Sequence, residues 1–329
     1  MTKPLDRLRL VPLFDHFADE QLESLAACAT PVRFPAGVTV LKEGDASFDT
    51  YIVHEGAIRI KRDTPYGSFN IAILDAGEVF GETSFVDKRP RSVDAVTDAA
   101  AELYLLNPVA LETLAEKDAR FELSLYWAFW RSLSSKLRAT NDRLTRFFTE
   151  TGASSDLTAP RIDEPTGSFR IDLGTKRDLF QEQKLSTMEI NFLSSLSREK
   201  KYKPGEVLFR EGDPGDTMYI VLDGRVRISK HIPGAGEEAL AFMARGDYFG
   251  EMALIDDLPR SAEATAHDQG AVVLAIPRDV LRGILDIRKV SSLRLLKILC
   301  QLVAERLREI DDKLVGWFIL AGGHGGNLE

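Results

Sequence analysis

Short runs of alternating apolar and polar residues recur along most of the chain, separated by residues that favour turns. Residues 57–61 (AIRIK) and 225–229 (RVRIS) show this period, which is typical of a strand with one buried face. The Glu-Gly-Asp triplets at 43–45 and 211–213 are tight-turn sequences, because glycine tolerates positive φ and aspartate bonds to its own backbone. The pattern predicts a mainly β fold with flanking α-helices (α+β), built from jelly-roll β-barrels of the double-stranded β-helix type.

An internal repeat indicates how many domains there are. Residues 34–60 match residues 202–228 at an offset of 168, and the offset becomes 169 after one extra residue near 234–236. Two tandem copies of one domain follow from this match.

The domain boundaries follow from the repeat and from local composition. The two copies are predicted over residues 10–150 and 177–318. Residues 151–176 are rich in Ser, Thr, Pro, Gly and Asp, which predicts a flexible linker, and residues 319–329 are predicted to form a tail.

A heptad pattern follows each predicted barrel and predicts long helices over about 119–149 and about 289–317. The seam of the first copy is Leu123, Tyr126, Trp130, Leu133, Leu137, Thr140, Leu144 and Phe147, and that of the second is Leu293, Leu296, Cys300, Val303, Leu307, Ile310, Leu314 and Trp317. A narrow seam favours pairing between helices, in a pseudo-symmetric monomer or a homodimer, over a helix lying on its own barrel. Trp130 aligns with Cys300, and pairing a large residue with a small one favours the monomer.

Composition and charge exclude several classes of function. Apolar residues make up 44% of the chain and charged residues 28%, as in soluble globular proteins, and the net charge of -9 argues against DNA as a partner. We expect no membrane segment and a cytoplasmic protein, because no apolar run approaches the ~20 residues of a membrane helix. The residues after Trp317 are too few for a helix-turn-helix.

The candidate chemistry lies between two predicted strands, in residues 249–262 (FGEMALIDDLPRSA). The candidate ligand-binding residues of this copy are Gly250, Glu251, Met252, Ala253, Arg260 and Ser261. Gly250 lets the backbone approach a ligand, and the N–H groups of a following helical turn suit an anion. Arg260 offers a planar fork of donors to phosphate oxygens, Ser261 adds a hydroxyl, and Glu251 can accept from a sugar hydroxyl.

These residues resemble the phosphate-binding cassette of the cyclic-nucleotide-binding domain family. The shared pattern is Phe-Gly-Glu, a small apolar turn, then Pro-Arg and a small residue, and with both copies the resemblance covers most of the chain. It implies a β-roll with flanking helices, in which Glu251 binds the ribose 2′-hydroxyl and Arg260 binds the exocyclic phosphate oxygens of a purine cyclic nucleotide.

The first copy reads FGETSFVDKRPRSV over residues 80–93. Its candidate ligand-binding residues are Gly81, Glu82, Thr83, Arg91 and Ser92. Thr83-Ser84-Phe85 replaces the apolar Met252-Ala253-Leu254 of the second copy, which predicts different packing under the ligand. The alternative is a relic site in which Arg91 pairs with an acid.

The helix after the barrel carries the candidate base contacts. In the catabolite-activator branch of the family, a polar residue of this helix contacts adenine across a dimer, and Thr140 with Asn141 falls at that position. The second copy has Ile310 and Asp311 there, and a carboxylate can accept from guanine N1–H and N2–H. The alternative is that Thr140 sets the register of the seam and Asp311 is solvated.

The sequence therefore predicts a non-enzymatic receptor for cAMP, with cGMP as the alternative ligand, that passes binding through its post-barrel helices to an unidentified protein effector. A scaffold with non-binding cassettes and a receptor for another nucleotide stay open. We expect no catalytic residues, metal or cofactor, because the chain shows no nucleophile and base pair, and Cys28 and Cys300 have no metal-ligand spacing.

Overall fold

The computed structural model describes residues 4–151, 197–232, 236–255, 257–285 and 292–323. The predicted linker, apart from its first residue, and the start of the second predicted domain lie outside the described residues. The chain divides into two compact units: one contains Met1–Thr140 and Leu296–Glu329, and the other contains Asn141–Leu295.

The first unit begins with helices α1 and α2 and then forms eight strands. The bounds are α1 Pro4–Leu8, α2 Asp19–Cys28, β1 Ala29–Phe34, β2 Thr39–Leu41, β3 Thr50–Glu55, β4 Ile58–Thr64, β5 Gly67–Leu74, β6 Val79–Phe80, α3 Glu82–Asp87, β7 Asp94–Thr97, β8 Ala101–Leu106 and α4 Pro108–Lys117. Helix α4 is capped by Asn107, whose side-chain oxygen accepts from two backbone N–H groups of the first turn.

These strands form two antiparallel sheets with the orders β1-β8-β3-β6 and β2-β7-β4-β5. Both sheets contribute to one apolar core, to which Tyr51 and Leu103 belong in the first sheet and Ile58 and Leu74 in the second. The alternation of residues 57–61 is explained by this arrangement, because Ile58 is fully buried while its neighbours reach the surface.

The second unit repeats this architecture with longer strands. The bounds are β9 Arg198–Tyr202, β10 Val207–Phe209, β11 Thr217–Ile232, β12 Gly236–Met243, β13 Tyr248–Phe249, α6 Met252–Ile255, β14 Glu263–Pro277 and α7 Arg278–Ile284. Strands β11 and β14 each cover the positions of two strands of the first unit. The described residues of the second unit therefore form one six-stranded antiparallel sheet. Irregular register near Gly224 marks the place where the first unit separates its two sheets.

Two long helices follow the sheets, α5 at Ala119–Thr151 and α8 at Leu293–Leu320. All of α8 from Leu296 onward belongs to the first unit, where the Cys300 Sγ lies 3.2 Å from the Tyr126 carbonyl oxygen. Among the described residues no helix is long and apolar enough to cross a membrane. The predicted fold, two antiparallel β-roll domains with flanking helices, is confirmed, although hydrogen bonds between the described strands do not close a barrel.

Candidate functional site

A pair of backbone hydrogen bonds holds the cassette arginine of each copy. The Gly44 N–H donates to the Arg91 carbonyl and the Arg91 N–H to the Asp45 carbonyl, both at 2.9 Å. In the second copy the Gly212 N–H donates to Arg260 and the Arg260 N–H donates to Asp213, again at 2.9 Å. The Glu-Gly-Asp turns therefore do more than reverse the chain, because they fix the position from which each guanidinium extends.

The Arg91 guanidinium is buried, and its hydrogen bonds within the described part of the chain all go to neutral groups. Its Nη1 donates to the Gly81 carbonyl at 2.8 Å, Nη2 to the Asp49 carbonyl at 2.7 Å and Nε to the Ser47 hydroxyl at 3.1 Å. Arg91 is only 4% exposed, and this burial lowers the pKa of its guanidinium group. The alternative in which Arg91 pairs with an acid is not what the contacts show.

The Arg260 guanidinium repeats this arrangement with one bond fewer. Its Nη1 donates to the Gly250 carbonyl and its Nη2 to the Thr217 carbonyl, both at 2.6 Å, and its Nε has no partner among the described residues. Gly215 stands where the first copy has Ser47, so this position supplies no hydroxyl to Nε. Phe209 covers the group, with its ring centroid 4.2 Å from the guanidinium carbon.

Two glycines let the backbone pass these guanidinium groups. Gly81 and Gly250 have φ of 85° and 76°, a left-handed conformation that other residues rarely adopt. A Cβ on Gly81 would lie 2.5 Å from the Asp49 carbonyl oxygen, and one on Gly250 would lie 2.7 Å from Arg260 Nη1. Both positions therefore require glycine on grounds of space as well as of backbone conformation.

The glutamate after each of these glycines is buried. Glu82 is fully buried, and its Oε1 accepts from Lys136 Nζ at 2.5 Å and from the Ser132 hydroxyl at 2.9 Å, both on α5. Its Oε2 has no hydrogen-bond partner in the described part of the chain. Glu251 is 2% exposed. In the first unit α5 thus holds one oxygen of this acid and leaves the other available.

The remaining cassette residues surround these charged groups. Thr83 and Ser92 are half-buried, and Met252 and Ala253 are buried. The Ser261 hydroxyl lies 3.9 Å from Met252 Sδ. Each copy thus brings the predicted residues of its own cassette together around one arginine.

A cluster of three charged residues lies beside each cassette. In the first unit Arg62 of β4 donates to Glu43 at 2.7 Å and also pairs with Asp312 of α8. In the second unit the Lys230 Nζ of β11 lies 2.7 Å from Asp142 and 3.1 Å from Glu211.

In the repeat alignment, the cation and the glutamate of one cluster match those of the other, but the helix aspartates come from exchanged helices. Arg62 aligns with Lys230 and Glu43 with Glu211, whereas Asp312 aligns with Asp142. Each cation therefore pairs with an acid from the helix that follows the other copy along the chain.

The predicted base-contact residues are also buried. Asp311 belongs to the first unit and Asn141 to the second, and the side-chain Oδ1 of each is buried without a hydrogen-bond partner among the described residues. Burial, followed by the charge of Asp312, raises the pKa of Asp311 to about 7. Thr140 is buried in the first unit. The alternative of a solvated Asp311 is wrong, because this residue is 6% exposed.

Comparison with known proteins identifies both cassettes. The sequence profile of the family described as "Cyclic nucleotide-binding domain" matches residues 31–118 and 199–288, together more than half of the chain. The chain belongs to the cyclic nucleotide-binding domain family. The two matches contain the Arg91 and Arg260 cassettes respectively, so the chain carries two cyclic nucleotide-binding domains, as predicted from the repeat.

Several relatives align along most of the chain. A cAMP-dependent protein kinase regulatory subunit from Hypocrea atroviridis is 25% identical over 77% of this chain and 46% of its own length. A cGMP-dependent protein kinase from Caenorhabditis briggsae is 23% identical over 80% of this chain and 28% of its own. The chain therefore spans less than half the length of these curated relatives. The regulatory domain of Toxoplasma gondii PKA, solved with cAMP, covers 89% of this chain and 93% of its own at 20% identity, with a TM-score of 0.33.

Sequence reasoning missed several residues that shape the two cyclic nucleotide-binding domains. They are Ser47, Arg62, Ser132, Lys136, Lys230 and Arg308. The alignment of two cations and two glutamates between the copies was the available signal for Arg62 and Lys230. The other residues contact partners far away in the sequence, and no local motif predicts such contacts.

Proposed function

We propose that this chain is a non-enzymatic receptor for a purine cyclic mononucleotide, with cAMP the preferred ligand and one site in each cyclic nucleotide-binding domain. One observation carries the proposal: each cassette holds a buried guanidinium group with no carboxylate within ion-pair distance among the described residues.

A buried cation of this kind favours an anionic ligand. Removal of a charge from water is costly unless an opposite charge or hydrogen bonds compensate for it. A guanidinium group has five N–H donors. Among the residues that the structure describes, Arg91 uses three of them and Arg260 uses two, which leaves donors for the exocyclic oxygens of a cyclic phosphate.

The glutamates supply the second half of the recognition. The unpartnered Oε2 of Glu82 is suited to accept a hydrogen bond from a ribose 2′-hydroxyl, and Glu251 occupies the same place in the second copy. An acceptor for sugar beside a donor for phosphate selects a ribose cyclic phosphate over inorganic phosphate. The Ser261 and Ser92 hydroxyls are proposed to donate to the same phosphate.

The base is proposed to be read from the long helices. Asn141 can both donate and accept, which suits the adenine edge at the second site, and Thr140 is proposed to contact the base at the first. Asp311 makes cGMP the second candidate, for the first site, because its Oδ1 is buried without a partner and an ionised carboxylate accepts from guanine N1–H and N2–H. The two named relatives are a cAMP- and a cGMP-dependent kinase protein, so they support neither base over the other.

The output is proposed to be a change in the long helices that a protein effector detects. The relatives that match both copies are a kinase regulatory subunit and a kinase, which supports a protein as effector. Within the first unit α8 contacts both α5 and the cassette region, so it is the element best placed to respond to the ligand by a population shift.

Thermal melting of the purified chain tests the proposal. At ~100 times its dissociation constant, a ligand adds about 2.7 kcal/mol to the domain that binds it. We expect cAMP, cGMP or both to raise the melting temperature by several degrees. AMP, which has the same base and ribose but an open phosphate, is the matched control and should shift it much less. If no cyclic mononucleotide shifts the melting temperature, the chain is not the proposed receptor.

A further inference from the structure

Arg308 of α8 binds the first cassette at three points. Its Nε and Nη2 lie 2.6 Å and 3.0 Å from the two carboxylate oxygens of Asp87, so the ion pair is bidentate. Nη2 also donates to the Ser84 hydroxyl at 3.2 Å, and Nη1 donates to the Pro90 carbonyl at 2.9 Å. We call these four residues the Arg308 clasp.

The Arg308 clasp contacts both parts of the cassette that carry the groups proposed to hold the ligand. Ser84 and Asp87 belong to α3, which begins with Glu82, and Pro90 directly precedes Arg91. One guanidinium group therefore ties the segment that carries the sugar acceptor to the segment that carries the phosphate donor. Loss of the clasp would let these two segments move apart.

The clasp is well shielded from water. The side chains of Arg308 and Asp87 are 12% and 7% exposed. By contrast, Arg89 of the cassette and Glu305 of α8 form a surface ion pair whose side chains are about half exposed. An exposed pair contributes ~0–1 kcal/mol, whereas a bidentate, desolvated pair is stronger and specifies one geometry. The clasp can therefore hold α3 in a defined position relative to Arg91.

A second contact fixes the next turn of the same helix. Asp312 pairs with Arg62, which also binds Glu43 in the turn whose Gly44 donates to the Arg91 carbonyl. Because residues four apart lie on one face of a helix, Arg308 and Asp312 present one charged stripe to the cassette. Farther along, Phe318 packs on Phe69 with ring centroids 4.7 Å apart.

Helix α8 nevertheless follows the second cassette along the chain. It begins at Leu293 in the second unit and continues without a break into the first unit from Leu296. We infer that Arg308 makes α8 a component of the first nucleotide site, so that the helix joined to the second copy controls the affinity of the first. This inference rests on the proposed nucleotide binding and adds a positioning residue to it.

Thermodynamic linkage gives the inference its testable form. If docked α8 raises the affinity of the first site, nucleotide in that site must favour docking of α8 by the same factor. The unusual residues of the first cassette also acquire a role, because Ser84, which Ala253 replaces in the second copy, bonds to Arg308. At this position, where the sequence predicted different packing under the ligand, the first cassette contacts the helix.

Calorimetric titration with cAMP and with cGMP can isolate the first site in a protein carrying Arg260→Ala, which disables the second. In that protein we expect Arg308→Ala to weaken first-site binding at least about fivefold, the lower end of usual coupling factors. Arg308→Lys should restore part of the loss, because an ammonium can still reach Asp87. Arg294→Ala, which removes an exposed arginine from the same helix, is the matched control and should leave the affinity unchanged.

Hydrogen exchange separates this role from a merely structural one. Nucleotide should slow amide exchange in α8 around residues 304–318 of the Arg260→Ala protein, and Arg308→Ala should abolish that response. Unchanged affinity and unchanged ligand-dependent protection in Arg308→Ala would overturn the inference while leaving nucleotide binding intact. An equal loss of affinity in Arg294→Ala would overturn it too. If the Arg260→Ala protein binds neither nucleotide while the unmodified chain does, the first site does not bind nucleotide and the inference fails with it.

Discussion

Arg91→Ala and Arg260→Ala are each expected to abolish one of two nucleotide-binding events. Each substitution removes the only cation inside its cassette that is proposed to meet the cyclic phosphate. Loss of a buried charge-assisted pair costs roughly 2 to 4 kcal/mol, or about 30- to 700-fold in affinity. Calorimetry with cAMP and with cGMP should therefore show the stoichiometry fall from two sites to one in each variant and to none in the double variant.

Controls distinguish loss of the phosphate contact from loss of the fold. The arginines also bond to backbone carbonyls, so alanine at either position leaves those carbonyls without donors and lowers stability. Lysine at the same positions keeps the charge but not the fork, and should recover part of the affinity. Arg33→Ala, at a side chain 72% exposed, should change neither affinity nor stability appreciably. Two binding events of undiminished affinity in the double variant would show that the cassettes are not the sites.

Ser47 offers a finer comparison of the two copies. Its hydroxyl accepts from Arg91 Nε, whereas Gly215 leaves Arg260 Nε without such a partner. The second cassette therefore has one more donor available for an anion than the first. From this difference we expect the two sites to have unequal affinities.

Local patterns were sufficient to predict the fold and to single out the charged residues that each candidate site brings together. Glycine, glutamate and arginine at fixed spacing act within one short segment, so Gly81, Glu82 and Arg91 could be found without knowledge of the tertiary structure. The alternation around Ile58 likewise reports which face of a single strand is buried. Both are cases in which neighbours in sequence are neighbours in space.

Contacts made by the long helices could not be predicted in this way. Arg308 meets Asp87 and Asp312 meets Arg62 across more than two hundred residues, and the heptad seam predicts an apolar partner surface without saying which surface it is. The repeat even suggests the wrong pairing, because simple symmetry would assign Asp142, not Asp312, to Arg62. The surface on which each long helix packs depends on the tertiary structure, so the local sequence does not determine it.

Asp311→Asn is expected to stabilise the protein more at pH 8 than at pH 5, by about 3 kcal/mol. Burial raises the pKa of Asp311 to about 7, well above its ordinary value of 3.8. Between these two values the folded state retains a proton that the unfolded state has released, so the free energy of unfolding falls as the pH rises and levels off above 7. Between pH 5 and the plateau above pH 7 the penalty grows by about 3 kcal/mol, since each unit of pKa corresponds to ~1.4 kcal/mol. Denaturant unfolding of both proteins at the two pH values measures it.

Asn141→Asp supplies the mirror experiment, because Asn141 occupies the equivalent place in the other long helix and is equally buried, at 4% exposure. It should install in the second unit the pH dependence that Asp311→Asn removes from the first. The chain thus carries at these positions an amide, which is neutral at every pH, and a carboxyl group that changes from donor to acceptor near neutrality. If the Asp311→Asn difference is the same at pH 5 and pH 8, the carboxyl is ionised throughout. A nucleotide base would then meet only an acceptor there, which favours guanine at the first site.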